Sequence, residues 1–239
     1  MTHRSVRVAV IDSGVNPAHP HVGPAAGGTA IATDGSTNTD YVDRLGHGTA
    51  VAAAIHERAP SAELFAVKVF DRQLSASIEV LVAGIEWAAA HHVDLINLSL
   101  GTANQTHAAA LQSAVVRAAE AGALLVAAGT DDGVAYLPGS LNGVVQVELD
   151  WACPRLAVEV ASRSGGGDVV CRASGFPRPV PGVPPERNLK GTSFAVANVT
   201  GVLARELVGG SRPTVASAIA ALQRAHAGVG SARSPKRDA

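Results

Sequence analysis

The run Arg7–Ile11, with the sequence RVAVI, is a short apolar segment that ends in the turn residues Asp12, Ser13 and Gly14. A strand that is apolar at every position is typical of a parallel sheet whose two faces are both covered. Similar runs recur along the chain, and we predict strands at Leu64–Phe70, Asp94–Leu100, Leu124–Ala128, Val144–Leu149 and Leu156–Val160. The first run therefore sets the expectation of a buried, largely parallel sheet.

Segments with helical character alternate with these strands. Ser77–His91 has apolar residues at helical spacing, and His107–Ala121 is followed by Gly122, a common helix-ending residue. Further helices are predicted at Gly46–Ile55, Thr192–Leu207 and Val215–Ala225. The alternation predicts an α/β fold of three layers, with a mostly parallel central sheet covered by helices on both faces. We assign residues 1–230 to a single domain and residues 231–239 to a disordered C-terminal tail.

The composition excludes several classes of protein. The 239 residues are 47% hydrophobic, which is enough for a buried core and excludes a disordered chain. With 19 basic and 20 acidic residues the formal net charge is −1, so we expect no nucleic-acid partner. No run approaches the roughly 20 apolar residues of a membrane span, and the first residues lack the apolar core of a signal peptide. We therefore expect a cytoplasmic protein with no membrane partner, and we expect it to be a monomer.

Three features allow more than one interpretation. Cys153 and Cys171 are too few for a disulfide framework, and we expect buried or unpaired thiols rather than a single bridge. Phe176–Arg187 contains five prolines, which favours a stiff surface loop over a ligand for a partner domain. Ser162–Asp168, with the sequence SRSGGGD, is expected to be flexible.

Three chemically capable residues stand at junctions between predicted elements. Asp12 follows the first strand, His47 opens a helix after Gly46, and Ser193 opens another in the sequence GTSFA. Each alone has an ordinary explanation as a cap or turn residue. Functional groups gather at the carboxyl ends of the strands of an open parallel sheet. Asp, His and Ser in this chain order also form one known order of the hydrolase triad.

Four sequence blocks carry a specific resemblance. They are Val8–Pro20 (VAVIDSGVNPAHP), Gly46–Val51 (GHGTAV), Ile96–Gly101 (INLSLG) and Gly191–Ala195 (GTSFA). They resemble the signature blocks of the subtilisin-like serine proteases, the subtilases, and Ala59–Ala88 between them is also similar to the family. The similarity runs from about residue 6 to about residue 207, which covers most of the chain.

The resemblance implies a role for each matching residue. Ser193 would attack the scissile carbonyl, His47 would take and return the proton, and Asp12 would hold the imidazole and stabilise its charge. The backbone N–H of Ser193 would be one donor to the oxyanion. Ser99, Leu100 and Gly101 would pair with the substrate as an added strand, and Ala127, Ala128 and Gly129 would form the facing wall of the pocket for the residue before the cut.

The chain departs from the family pattern at the second oxyanion donor. The family places an asparagine where this sequence has Thr130, followed by Asp131 and Asp132. The Thr130 hydroxyl is the candidate replacement, and the amides of Asn142 and Asn188 are alternatives if the fold brings them close. The segment from Gly129 to Pro138 is also shorter than is usual in the family, which leaves the depth of the specificity pocket open.

A calcium site is the one cofactor that the resemblance raises. The densest oxygen-bearing group comprises Asp34, Asn38, Asp40 and Asp43. Such a loop is compatible with calcium, although a solvated polar loop is the favoured interpretation. No His or Cys arrangement has metal-ligand spacing, so we predict no other metal and no organic cofactor.

The sequence therefore predicts a serine endopeptidase that acts on peptide or protein substrates through an acyl-enzyme, with dedicated processing of a precursor as its task. The altered oxyanion position supports a second hypothesis, in which a pseudoprotease binds peptide along Ser99–Gly101 without cleaving it. A nucleotide-binding domain is disfavoured, because the turn after the first strand lacks the spaced glycines of a dinucleotide loop.

Overall fold

A central sheet organises the computed structural model, which describes residues 4–131, 133–162, 169–207 and 212–231, with side chains as far as residue 226. Within these residues the sheet has ten strands. They are β1 (Arg7–Asp12), β2 (Gly27–Ile31), β3 (Thr37–Asn38), β4 (Glu63–Lys68), β5 (Leu95–Leu98), β6 (Leu124–Asp131), β7 (Val134–Ala135), β8 (Val144–Leu149), β9 (Val158–Ser162) and β10 (Val169–Ala173). The order is β3-β2-β4-β1-β5-β6-β8-β10-β9, and β7 pairs with β6.

The seven strands from β2 to β10 in this order run parallel, and β3 and β9 add antiparallel edges. Parallel strands place their carboxyl ends at one edge of the sheet. The ends of β1, β5 and β6, which lead into Asp12, Ser99 and Thr130, therefore lie side by side at that edge.

In the part of the chain that the structure describes, five α-helices cover the sheet, and they divide between its two faces. They are α1 (His47–Arg58), α2 (Ile78–Ala90), α3 (Ala108–Ala121), α4 (Thr192–Glu206) and α5 (Val215–Ser231). Val8 and Val10 of β1 belong to the core formed with α1, α4 and α5, whereas Ala9 and Ile11 belong to the core formed with α2 and α3. Alternate side chains of one apolar strand thus enter two cores, which explains why β1 is apolar throughout. The predicted three-layer α/β fold is confirmed.

Several strands were not predicted, and their sequences show why. β2 reads GGTAI and begins with two glycines, which weaken a strand signal. β3 and β7 have two residues each, too few to carry a period. β10 lies against β8 and β9 and reads VVCRA, a run that the sequence prediction left unassigned. The strand predicted at Leu64–Phe70 ends at Lys68 and begins one residue earlier.

The remaining predictions fall partly outside the described residues. Residues 163–168 of the glycine-rich segment and residues 232–239 of the tail lie there, so both remain predictions. Cys153 and Cys171 are free and buried, as expected. Burial raises the pKa of Cys153 to about 11 and that of Cys171 to about 12, so both thiols are protonated at neutral pH. In the part of the chain that the structure describes, a helix with the length and apolar character needed to cross a membrane is absent.

Candidate active site

Asp12 and His47 form a direct contact at the carboxyl edge of the sheet. Asp12 ends β1 and is fully buried, and its Oδ1 accepts hydrogen bonds from the backbone N–H of Ser13 and from Nδ1 of His47, each over 2.7 Å. Because a carboxylate only accepts, Nδ1 of His47 carries the proton of this bond and Nε2 is left as the basic nitrogen. Asp12 Oδ2 is buried without a hydrogen-bond partner among the described residues.

The position of His47 follows from the start of α1. Gly46 precedes the helix in the left-handed conformation, with a φ of 84°, and lets the chain turn into His47. A methyl group on Gly48 would stand 2.1 Å from the carbonyl oxygen of Gly14, so the first turn of α1 lies directly on the loop after β1. This close approach brings the imidazole to the Asp12 carboxylate.

Burial lowers the pKa of His47, but other groups more than offset that effect. The hydrogen bond to Asp12, the charge of Asp12 and the charge of Asp43 all raise it, and the net pKa of His47 lies above the ordinary value for histidine. The neutral imidazole that a general base requires therefore forms at a higher pH than in a free histidine.

Ser193 lies at the start of α4, against the end of β5. Its hydroxyl donates to the carbonyl oxygen of Ser99 over 3.0 Å, and the hydroxyl of Ser99 donates to the carbonyl oxygen of Ser193 over 3.3 Å. The ring of the next residue, Phe194, has its centroid 5.7 Å from that of His47. The single hydroxyl proton of Ser193 is thus directed at Ser99 in this structure, and a rotation of the side chain has to precede its transfer to an imidazole.

A buried polar network supports this arrangement from below. Asn97 of β5 is fully buried, and its amide donates to the hydroxyl of Ser99 over 2.8 Å. Thr200 follows Ser193 by seven residues in α4, and its hydroxyl donates to Asn97 Oδ1 over 2.9 Å. The network fixes α4 to β5, because each of these buried groups would be left unsatisfied if the helix moved.

Asp43 is a second carboxylate of the site, and from the sequence alone it is only a candidate calcium ligand. Its Oδ1 accepts from the hydroxyl of Ser13 and from the N–H groups of Leu45 and Gly46, each over 2.9 Å. Its Oδ2 accepts from the N–H and the hydroxyl of Thr49 over 2.8 and 2.7 Å. Burial raises the pKa of Asp43, whereas these hydrogen bonds lower it. The hydrogen bonds together outweigh burial, so the net pKa of Asp43 lies below the ordinary value for aspartate. An acidic residue just ahead of a helix start is the signal that could have identified it.

The two predicted substrate-binding segments follow neighbouring strands. Ser99, Leu100 and Gly101 come directly after β5, and a cavity of about 270 Å³ opens beside Leu100 and Gly101. Its lining combines apolar residues, among them Phe70, Leu74, Ile78 and Leu81, with the polar residues Ser75, Ser77, Thr102 and His107. On the facing strand Ala127 is fully buried and belongs to the core, whereas Ala128 is half-buried.

The candidate oxyanion residue Thr130 belongs to a strand whose end contacts the start of α4. Thr130 is near the end of β6, where it pairs with Ala135 of β7 and with Glu148 of β8. The next residue, Asp131, accepts a hydrogen bond from the hydroxyl of Thr192 over 3.2 Å, and Thr192 directly precedes Ser193. The end of β6 is thereby held against the start of α4.

The structure separates one of the two asparagine alternatives from the site and gives the other its own hydrogen-bond partners. Asn142 lies just before β8, at the amino end of a parallel strand, which is the edge of the sheet opposite the site. Asn188 donates from its amide to the carbonyl oxygen of Arg178 over 3.4 Å and accepts from the N–H of Leu189 over 2.9 Å.

The proposed calcium ligands do not converge. Asp34 accepts from the N–H of Ser36, Asp40 pairs with Arg44 over 2.7 Å, and both oxygens of Asp43 are occupied by the bonds described above. Among the described residues, no group of three or more His, Cys, Asp or Glu side chains is placed to hold a metal ion.

Comparison with known proteins places the chain in a family. The sequence profile described as "Subtilase family" matches residues 3–219. The chain belongs to the subtilase family. It is 34% identical over 217 residues to the M-protease of Shouchella clausii, which covers 85% of this chain and 54% of that protein. It is 38% identical over 160 residues to the minor extracellular protease Epr of Bacillus subtilis, which covers 62% of this chain and 24% of that protein.

A solved structure supports the same fold. It is titled "Crystal structure of a cold adapted subtilisin-like serine proteinase" and matches with a TM-score of 0.67 and 23% sequence identity over 90% of this chain and 80% of that chain. The subtilisin-like fold is therefore confirmed. The chain spans between about a quarter and about half of the length of the curated relatives named above.

Proposed function

We propose that this subtilase is a serine endopeptidase that cleaves peptide bonds in an extended segment of a peptide or protein. The observation that supports this most directly is the 2.7 Å contact between Asp12 Oδ1 and His47 Nδ1, with Ser193 on the adjacent helix start. Asp12, His47 and Ser193 come from β1, α1 and α4, and the carboxyl edge of the sheet brings those three elements together.

In the first half of the proposed reaction, Ser193 Oγ attacks the carbonyl carbon of the scissile bond while His47 Nε2 takes the hydroxyl proton. The Asp12 carboxylate keeps the proton on Nδ1 and stabilises the imidazolium. The carbonyl oxygen becomes an oxyanion, which the N–H of Ser193 at the start of α4 is proposed to bind, with the hydroxyl of Thr130 as second donor. His47 then returns the proton to the leaving amine, and the C–N bond breaks to give the acyl-enzyme.

The second half repeats these steps with water. His47 Nε2 removes a proton from a water molecule, whose oxygen attacks the ester carbonyl, and the proton returns to Ser193 Oγ as the acid product leaves. Every step uses side chains and backbone groups of this chain together with water, so we propose no cofactor.

The substrate is proposed to bind as an added strand along Ser99, Leu100 and Gly101. The backbone groups after the end of β5 would pair with the substrate backbone, and the 270 Å³ cavity beside Leu100 would take an apolar side chain. We propose a restricted range of substrates, such as one precursor, because the hydroxyl of Thr130 has a shorter reach than the amide that the family places there and the segment from Gly129 to Pro138 is short.

Hydrolysis of a peptide mixture tests this function. The wild-type protein is expected to generate new N-termini detectable by mass spectrometry, and Ser193→Ala and His47→Ala are each expected to abolish them. Cleavage that persists at the same bonds in folded Ser193→Ala would contradict the assignment of the nucleophile.

A pseudoprotease remains the second candidate, and one contact favours it. The Ser193 hydroxyl is directed at Ser99 rather than at His47, and it could stay so if no substrate turns it. This candidate predicts that wild type and Ser193→Ala bind the same peptides with equal affinity and that neither cleaves them.

A further inference from the structure

The pocket between the two substrate-binding segments begins where β5 and β6 part. The parallel register of β5 and β6 runs from Leu95–Leu124 to the pair Leu98–Ala127. Beyond this pair, Ser99 bonds to Ser193 on one side, while Thr130 pairs with Glu148 on the other. The gap between the two strand ends is therefore a fork whose walls are the segments proposed to hold the residue before the scissile bond.

Tyr136 and Leu137 close this fork. The N–H of Tyr136 donates to the carbonyl oxygen of Gly129 on one wall over 2.9 Å. Leu137 exchanges two hydrogen bonds of 2.9 Å with Thr102, which extends the other wall. Two consecutive residues thus bridge the walls, and the short connection fixes how far apart these walls can be.

The side chain of Tyr136 lies against the wall that begins at β5. A methyl group built on Gly101 would stand 3.3 Å from Tyr136 Cβ and 3.6 Å from its ring atom Cδ1. The half-buried ring of Tyr136 therefore packs on Gly101, at the end of the fork that Tyr136 and Leu137 bridge. An aromatic side chain at this place takes up volume that a large substrate side chain would need.

The wall formed by the end of β6 is closely packed against its neighbours. A methyl group on Gly129 would stand 2.0 Å from Cγ of Gln146, and one on Gly139 would stand 1.9 Å from the carbonyl oxygen of Ala128. Gln146 belongs to β8, which pairs with β6 on the side away from β5, so moving β6 away from β5 to widen the fork would require the displacement of β8. Close-packed backbone resists such a displacement.

From this geometry we propose that Tyr136 limits the residue before the scissile bond to a small side chain, namely Gly, Ala or Ser. The inference rests on the proposed endopeptidase function and names its substrate class. A shape-limited apolar pocket discriminates about 10- to 200-fold for a single methylene group, so a preference of at least about 100-fold for Ala over Phe is expected.

Two peptides that differ only in the residue before the cut, Ala or Phe, test the proposal through kcat/KM. Wild type is expected to prefer Ala at least about 100-fold, and Tyr136→Gly is expected to reduce that ratio at least about tenfold by gaining activity on the Phe peptide. Tyr136→Phe retains the ring and is the matched control, with the wild-type preference expected.

Each outcome decides the proposal. A wild-type preference for Phe overturns it without any variant, and so does an unchanged ratio in Tyr136→Gly that still cleaves the Ala peptide. If wild type cleaves neither peptide nor any member of a random peptide mixture, the proposed function fails and the inference fails with it. Cleavage with the wrong preference removes the inference alone.

Discussion

Asp43 illustrates how a residue outside the catalytic set governs the site. It holds the loop before His47 through Leu45 and Gly46, and it reaches the loop after β1 through Ser13. The hydroxyl of Ser13 in turn accepts from the N–H of Gly48 over 2.9 Å. One carboxylate thus links the segments that carry Asp12 and His47, and its charge contributes to the raised pKa of His47.

Asp43→Asn should move the acid limb of the pH profile of kcat/KM to lower pH. Activity requires neutral His47, and the charge of Asp43 raises the pKa of that imidazole, so loss of the charge lowers the pKa and extends activity toward acid. Asparagine keeps one acceptor oxygen for the loop. Asp40→Asn is the control, because it removes a charge that pairs with exposed Arg44. An acid limb that stays in place or moves to higher pH in Asp43→Asn would refute the assignment.

Thr130 is proposed as the second oxyanion donor, and its hydroxyl has a shorter reach than an amide, so we expect only a moderate loss when it is removed. We expect Thr130→Ala to lower kcat by up to about 100-fold, with little change in KM, because an oxyanion donor acts on the transition state. Thr130→Ser retains the hydroxyl and should recover most of the lost rate. Steady-state kinetics on one peptide compares wild type with both variants. If Thr130→Ala has the same kcat as wild type, the second oxyanion donor is a group other than Thr130.

At the scale of elements, the site depends on how closely α1 approaches the loop after β1. Two glycines in helices, Gly48 and Gly84, allow a matched comparison. At Gly48 the helix lies against backbone, whereas at Gly84 it packs on side chains at ordinary distances. A methyl group on Gly48 would collide with the carbonyl oxygen of Gly14 at 2.1 Å. A methyl group on Gly84 of α2 would meet side chains of Ile11, Val67 and Val69 at 3.4 to 3.5 Å, which is an ordinary contact.

Gly48→Ala should therefore destabilise the fold by about 1–3 kcal/mol and abolish peptide hydrolysis, because α1 has to move away from Asp12. Gly84→Ala should leave hydrolysis intact and change stability by at most about 1 kcal/mol, since alanine favours the helix. Urea denaturation with a parallel assay measures both variants. Equal behaviour of the two would show that the close approach at Gly48 does not position His47.

The sequence predicted the elements with strong patterns and missed those without them. RVAVI is apolar throughout and was assigned correctly, whereas GGTAI became β2 only because β4 offers it a partner at the sheet edge. Asp12, His47 and Ser193 were predicted from their junctions and the family resemblance. Tyr136 was not predicted, because its place at the fork becomes visible only in the structure. There Tyr136 bonds to Gly129, and its neighbour Leu137 bonds to Thr102.

At the scale of the whole molecule, the sheet gathers residues that are far apart in the chain. The contacts between Ser99 and Ser193 and between Asn97 and Thr200 join residues about a hundred positions apart. Long-range contacts also hold α1 at both ends. Its start is held by the bonds that Asp43 and Ser13 make, and its last turn is held by Arg155. There the buried guanidinium of Arg58 donates to the carbonyl oxygen of Arg155, and Glu57 pairs with Arg155 over 2.5 Å. Both ends of α1 are thus fixed, so His47 is held by the fold as a whole.

We propose that this fold activates Ser193 as a nucleophile. The most direct test is covalent labelling of the folded protein with a fluorophosphonate, read by intact mass and by mapping of the modified peptide. We expect one adduct, located on Ser193, that is absent from Ser193→Ala and forms much more slowly in His47→Ala. If the folded wild-type protein remains unlabelled under conditions that label a known subtilisin, Ser193 is not an activated nucleophile.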